Sequence, residues 1–153
     1  MCQAGLVREE DWATATAILR LASELVDGIQ SGLAGLGYDD VRPAHGFAFV
    51  RLSAAPATTA QLAEYLGITK QATSELVHHL IARGYLARQP DPTDRRAQLL
   101  VLTDRGRACT RAAEQAAAQT VGSWRDRLST GQFAELQSAL PAIAQPGRLR
   151  PAW

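Results

Sequence analysis

Long apolar runs are missing from this chain. No stretch approaches the ~20 residues that a bilayer span needs. The N-terminus carries Glu9, Glu10 and Asp11 where a secretory leader would have positive charge and an apolar run. The expectation is therefore a cytoplasmic protein with no membrane partner. Cysteine is nearly absent too. Cys2 and Cys109 are too few for a disulfide framework, and their spacing fits no metal motif. Cys109 falls on a helical pattern among small apolar residues, so an inert core thiol is expected there. The three histidines are His45, His78 and His79. Sequence neighbours on a helix point about 100° apart and do not chelate one ion together. No metal and no cofactor are expected. There is also no nucleophile elbow, phosphate-binding loop, HExxH or cluster of acids at a plausible cleft, which argues against an enzyme.

A large charge of one sign is lacking as well. The net charge is +1, so bulk electrostatics do not announce a nucleic-acid partner. Its distribution is uneven. Residues 1–57 hold four arginines against seven acids, whereas 58–107 hold seven basic groups against five acids. Aromatics make up only 6% of the chain. Alanine and leucine are abundant, which favours helices.

The helices announce themselves by spacing and caps. Trp12, Ala15, Leu19, Ala22, Val26, Ile29 and Leu33 recur every three or four residues, a helical apolar stripe over 11–35. Ile18 and Leu25 widen it. Gly32, Gly35 and Gly37 are expected to end it in a loop. A second helix is expected from Arg42-Pro43, with Phe47 and Val50 inward, closed by Ala55-Pro56-Ala57. Thr58 with Gln61 forms a capping box, and Leu62, Ala63 and Leu66 face inward. Gly67 ends that helix, and Thr69 caps the next after a short turn. There Thr73, Leu76, Val77 and Leu80 face the core, and Gly84 terminates. Tyr85 to Arg88 starts a strand, Pro90 to Arg96 is turn material, and Gln98 to Leu102 returns as an apolar strand. Thr103 caps a helix running to about Leu128, with Ala112, Ala113, Ala116, Val121 and Trp124 on its apolar side. Phe133, Leu136, Leu140 and Ile143 mark a last helix, and Pro146 and Pro151 frame a tail.

Two helices joined at a glycine, then a hairpin with Asp94-Arg95-Arg96 at its tip, read as a winged helix-turn-helix. The fold class expected is mainly α with a small β wing, the head flanked by N- and C-terminal dimerisation helices. The apolar surplus on the two arms points to a homodimer. On the second helix of the head, Thr69, Lys70 and Gln71 lie in the opening turn, where backbone N–H groups favour phosphate. Lys70 adds a mobile cation. The amide of Gln71 suits bidentate bonding to adenine. Ser74 would contact a base or a phosphate, and Glu75 either accepts from a cytosine, stays solvated or pairs within the chain. Arg95 and Arg96 at the tip suit the negative minor groove. Asp94 repels phosphate, so its expected role is to hold one of those arginines in a bidentate pair.

The segment LAEYLGIT…LVHHLIARGYLARQPDPTDRRAQLLVLTDRGR resembles the MarR family of bacterial transcription regulators, and the wing DPTDRR followed by LLVLTDRG is its specific part. The resemblance implies one MarR-type domain over 1–153. Residues 11–57 and 104–145 would be dimerisation helices and scaffold, and 58–103 the DNA-binding head. It implies an obligate homodimer of triangular outline on an imperfect palindromic operator. It further implies repression of a nearby promoter and release by a small phenolic or aromatic effector. The wing arginine that enters the minor groove falls on Arg95 or Arg96, and the aspartate that orients it on Asp94. A ligand cleft between arm and head would take His45 and Trp12, although His45 serves equally as a cap within the core. The peroxide-sensing branch carries a cysteine in its first helix, and 11–35 has none. The alternative reading is a winged-helix module that binds protein without specific DNA binding.

Overall fold

A computed structural model describes residues 8–94 and 96–144. Cys2, Arg95, Pro146 and Pro151 lie outside the described residues. The order is α1 (Glu9–Gly35), α2 (Pro43–Ala54), α3 (Thr59–Leu66), α4 (Lys70–Ala82), β1 (Leu86–Pro90), β2 (Gln98–Leu102), α5 (Asp104–Asp126) and α6 (Thr130–Ile143).

Side-chain caps set most of these boundaries. Gln61 N–H donates to Thr58 Oγ1 at 3.2 Å, and Thr58 N–H donates back to Gln61 Oε1 at 2.9 Å. Thr69 caps α4 through Ala72 N–H, and Thr103 caps α5 through Gly106 N–H, both at 3.1 Å. Ser129 and Gln132 repeat the capping box at α6. Each such cap stabilises its helix by about 1 kcal/mol. Between α3 and α4, Gly67 takes the left-handed turn at φ 67°, which a side chain would resist.

The wing is a two-stranded antiparallel sheet pairing Leu86 with Leu102, Arg88 with Leu100 and Pro90 with Gln98. β1 thus begins one residue later than expected, because Tyr85 turns its ring into the core. Pro90 belongs to the ladder and not to the turn; as the last residue of a strand of this two-stranded sheet it costs little pairing. At the root, Leu100 N–H donates to Ala57 O at 2.8 Å and Ala57 N–H to Leu100 O at 3.3 Å. That bridge fastens the α2–α3 connection to the wing.

The core joins Leu62, Leu66, Val77 and Leu80 of the helix-turn-helix to Leu86, Leu100 and Leu102 of the wing. Leu33, Phe49, Leu52 and Cys109 close it from the scaffold. Tyr85 is the largest fully buried side chain, at 0% exposure. Two expectations about the scaffold need correcting. Val50 does not pack inward but is 44% exposed, and α2 buries Ala48, Phe49 and Leu52 instead. Phe47 packs against the core as expected, and only Val50 turns to solvent. Gly32 does not help to end α1. It lies inside the helix, where a Cβ would come 2.5 Å from Ala116 Cβ of α5. Gly28, one turn earlier, faces Thr120 in the same way. The two glycines let α1 and α5 approach closely along their length, and Glu24 and Arg127 close the far end with a 3.0 Å ion pair. Trp12, Ile18, Leu19, Leu140 and Ile143 remain exposed on the outer parts of α1 and α6. Among the described residues, no helix is long and apolar enough to cross a membrane.

Candidate nucleic-acid interface

The first turn of α4 is solvent-facing. Thr69, Lys70, Gln71 and Ala72 are exposed, while Thr73, Val77 and Leu80 on the opposite face are buried. The N–H groups of that turn and the positive end of the helix dipole therefore point outward. Thr69 uses its hydroxyl oxygen as the cap, which leaves its O–H free to donate outward. Gln71 Nε2 donates to Glu75 Oε1 at 3.3 Å, one turn on. An intramolecular pair was among the roles left open for Glu75, and Gln and Glu four apart on a helix is its signal. It fixes the amide plane and leaves Gln71 Oε1 and one N–H to face a partner, so Glu75 serves Gln71. Ser74 is half-buried, and its carbonyl accepts from or is paired with His78 Nδ1 at 2.8 Å. It projects less than Lys70 and Gln71.

The wing tip is built by two aspartates. Asp91 Oδ1 accepts from Thr93 N–H at 2.8 Å and Thr93 Oγ1 at 2.7 Å, and those bonds hold its carboxyl below the usual carboxylate range. Asp94 Oδ1 accepts from Arg96 N–H at 2.9 Å, and Ala97 N–H closes the loop on Asp94 O at 2.9 Å. The bidentate pair expected of Asp94 is not made with the Arg96 guanidinium; its carboxylate grips the Arg96 backbone instead, because two residues on is the reach of an aspartate in a turn. The tip thereby presents Arg96 outward and exposed. Arg95 is outside the described residues. Arg88, exposed on β1, adds a wing cation that the sequence reading passed over; its signal was a lone basic residue on the outer half of a strand.

The two residues expected to share a ligand cleft are far apart within the chain. Leu33, at the C-terminal end of α1, packs into the core with Val41 and Ala48 beside the start of α2. Trp12 lies 21 residues before it on the same helix, about 31 Å away at the helical rise. His45 is the N3 residue of α2, and its Nδ1 accepts from Arg42 N–H at 3.0 Å. Of the two roles left open for His45, the cap is the one formed. Other clefts lie elsewhere among the described residues. One of about 710 Å³ lies open between α1 and α5, along Leu19, Ser23, Asp27 and Thr120. Another of about 400 Å³ lies between α2, β2 and α5, along Leu52, Pro56, Val101, Arg107 and Arg111.

A polar cluster missed by the sequence reading joins the scaffold to the head. Tyr85 Oη donates to Asp40 Oδ1 at 2.7 Å, and Arg105 Nη2 donates to Tyr85 Oη at 3.2 Å. Arg83 pairs with Asp40 at 3.4 Å, and Arg105 lies over the Tyr85 ring at 4.7 Å. Burial and the bond to Asp40 push the phenol up to about 12, and the same bond draws the Asp40 carboxyl down. Partners 45 residues apart leave no local sequence signal.

Comparison with known proteins agrees with this geometry. The MarR family model matches residues 40–97. Among curated proteins no significant sequence match is found. Among solved structures, RV1404 from Mycobacterium tuberculosis is 26% identical with a TM-score of 0.77, covering 91% of this chain and 95% of its own. Apo wild-type MarR from E. coli is 20% identical with a TM-score of 0.70, covering 92% and 100%. Sco3205 from Streptomyces coelicolor, a MarR family transcriptional regulator in complex with DNA, is 22% identical with a TM-score of 0.66, covering 94% and 91%. Residues 40–97, which take in α2, the helix-turn-helix and the first strand of the wing, thus match the MarR family model, and the chain as a whole has the fold of the MarR winged-helix transcription regulators.

Proposed function

We propose that this chain is a sequence-specific duplex-DNA-binding regulator that acts in the cytoplasm as a homodimer, represses a nearby promoter and is released by a small aromatic or phenolic ligand. The observation that carries the reading is the pairing of an exposed α4 N-terminus, bearing Thr69, Lys70 and Gln71, with a hairpin tip that holds Arg96 outward. The first suits a major groove and the second the adjoining minor groove. Sco3205, of the same fold, is solved with DNA. For the effector, the 400 Å³ cleft is the better seat than His45 and Trp12. It touches both wing and scaffold, and it is lined by Leu52, Pro56 and Val101 beside Arg107 and Arg111, a mix suited to a small apolar anion.

Fluorescence anisotropy on duplexes selected from genomic DNA, against scrambled controls at fixed salt, tests the reading. Gln71→Ala should lower cognate affinity by about 1–3 kcal/mol per half-site and leave random duplex nearly unchanged. Lys70→Ala should weaken both alike. Equal loss on both duplexes for Gln71→Ala would make Gln71 a backbone contact and pass the reading role to Ser74. A wild-type protein with no salt-dependent affinity for any duplex would favour the protein-interaction alternative.

The wing gives a second test. Arg96→Ala should weaken binding and flatten the salt slope by about one unit of log K per log salt. Asp94→Ala should weaken binding too, although it removes a negative charge. Asp94→Asn keeps an oxygen for the Arg96 N–H and should retain most of the affinity. If Asp94→Ala binds more tightly than wild type, Asp94 is only a surface acid.

A further inference from the structure

His45 of α2 and His79 of α4 stack with ring centroids 5.1 Å apart and planes 30° from parallel. The pair joins a scaffold helix to the last turn of the helix that carries Lys70 and Gln71. Both rings are half-buried, and His45 is held in a form that excludes an extra proton. His45 Nδ1 accepts the Arg42 N–H at 3.0 Å, so its one ring proton sits on Nε2. A second proton would have to go on Nδ1, which would turn the acceptor into a donor facing a backbone donor and break the cap of α2. His79 Nε2 is buried with no hydrogen-bond partner among the described residues. Two cations at stacking distance would also repel.

We propose that the His45–His79 stack is a proton-operated joint, closed when the His45 ring is neutral, whose opening on acidification loosens the recognition helix from α2 and releases DNA. The proposal rests on the DNA-binding reading above. The charged and titratable groups facing His45 are His79 on α4 and, in the linker before α2, Asp40 and Arg42. Burial first, then His79, holds the His45 ring down to about 4; Arg42 adds to this and Asp40 opposes it. The sign follows from linkage. A histidine whose folded value lies below its free value of 6.5 takes up protons on opening. The closed joint is thus fully favoured above about pH 6.5 and loses ground as pH falls from there towards 4. From about pH 7.5 to about 5, these two values shift the open-to-closed ratio by roughly thirtyfold from His45 alone.

The direction separates this from ordinary electrostatics. Acidification adds positive charge to a protein, and added charge tightens its grip on phosphate. The joint requires the opposite. Anisotropy on a selected duplex should show affinity falling on the order of tenfold in wild type between about pH 7.5 and about 5. His45→Gln combined with His79→Phe keeps an N3 acceptor and a ring but nothing that titrates, and it should lose that dependence. His78→Gln should keep it. In parallel, hydrogen exchange on the wild type without DNA should show protection factors of α4 amides falling over the same range while those of α3 hold. Affinity that stays level or rises in acid, or unchanged α4 protection, overturns the proposal. Absence of binding to any duplex at neutral pH sinks the DNA reading, and the exchange measurement still decides the joint.

Discussion

Gly106→Ala should destabilise the fold by about 2–4 kcal/mol, against the usual direction of a glycine-to-alanine change in a helix. Gly106 is the third residue of α5, held by the Thr103 cap. A Cβ there would run into the backbone carbonyl of Tyr85 and meet Leu102 Cδ2 at 3.0 Å. The carbonyl cannot swing aside cheaply, because it accepts from Thr103 N–H at 3.0 Å and from Thr103 Oγ1 at 3.1 Å. Moving it would also lift the Tyr85 ring, which is fully buried and bonded to Asp40. Helix propensity alone would return about 1 kcal/mol to the alanine variant, so the clash must exceed that. Urea or thermal unfolding at matched protein concentration should show the midpoint falling by roughly 5–15 °C. A variant as stable as wild type would mean that α5 can slide from β1 at little cost, and that the cluster at Tyr85 does not fix the head on the scaffold.

Breaking the proposed dimer should have the larger effect on DNA. Trp12, Ile18 and Leu19 on α1 and Leu140 and Ile143 on α6 are 65%, 58%, 61%, 53% and 75% exposed. Five large apolar side chains at those values are far more than a surface needs, and a second copy is the simplest cover. Ile18→Glu with Ile143→Glu places like charges in that cover and spares the core of the head. The variant should sediment as a monomer or as partly unfolded protein. Its affinity for a two-half-site operator should fall by about 10²–10⁴, the worth of presenting the second head at high local concentration. Half-sites one helical turn apart, about 34 Å, are the spacing at which that gain is collected. A dimer of undiminished affinity would put the interface elsewhere.

The head was the most legible part, because its signals are local. Thr58 with Gln61, Thr69 and Thr103 are caps readable from three or four residues, and all three form. Ser129 with Gln132 was as plain a box as Thr58 with Gln61 and went unread. Gly67 and the Gln98–Leu102 strand follow from turn chemistry and apolar pattern. The scaffold was harder. On α2 Phe47 does pack against the core, but only the neighbours of the helix decide that Phe49 and Leu52, and not Val50, complete the buried face. Gly32 looked like a stop because glycine usually is one; its real partner, Ala116, is 84 residues away. Tyr85 meets Asp40 across 45 residues and Arg105 across 20. At the wing, Asp94 bonds the Arg96 backbone, and Arg95, the other partner expected for it, lies outside the described residues. The His45–His79 stack needed α2 and α4 to be placed before it existed at all.

Cys109 gives the molecule a timer. Its thiol is fully buried and, by that burial, pushed up to about 11. It is therefore neither reachable nor ionised while α5 sits on the core, and only the thiolate reacts quickly. In a Cys2→Ser background, the rate at which a soluble thiol reagent marks Cys109 counts how often α5 lifts from β2 and α2. That count needs no denaturant and no fluorophore. It applies equally to a chain alone, on DNA or holding an effector, and so compares how far each quiets the breathing of the same helix.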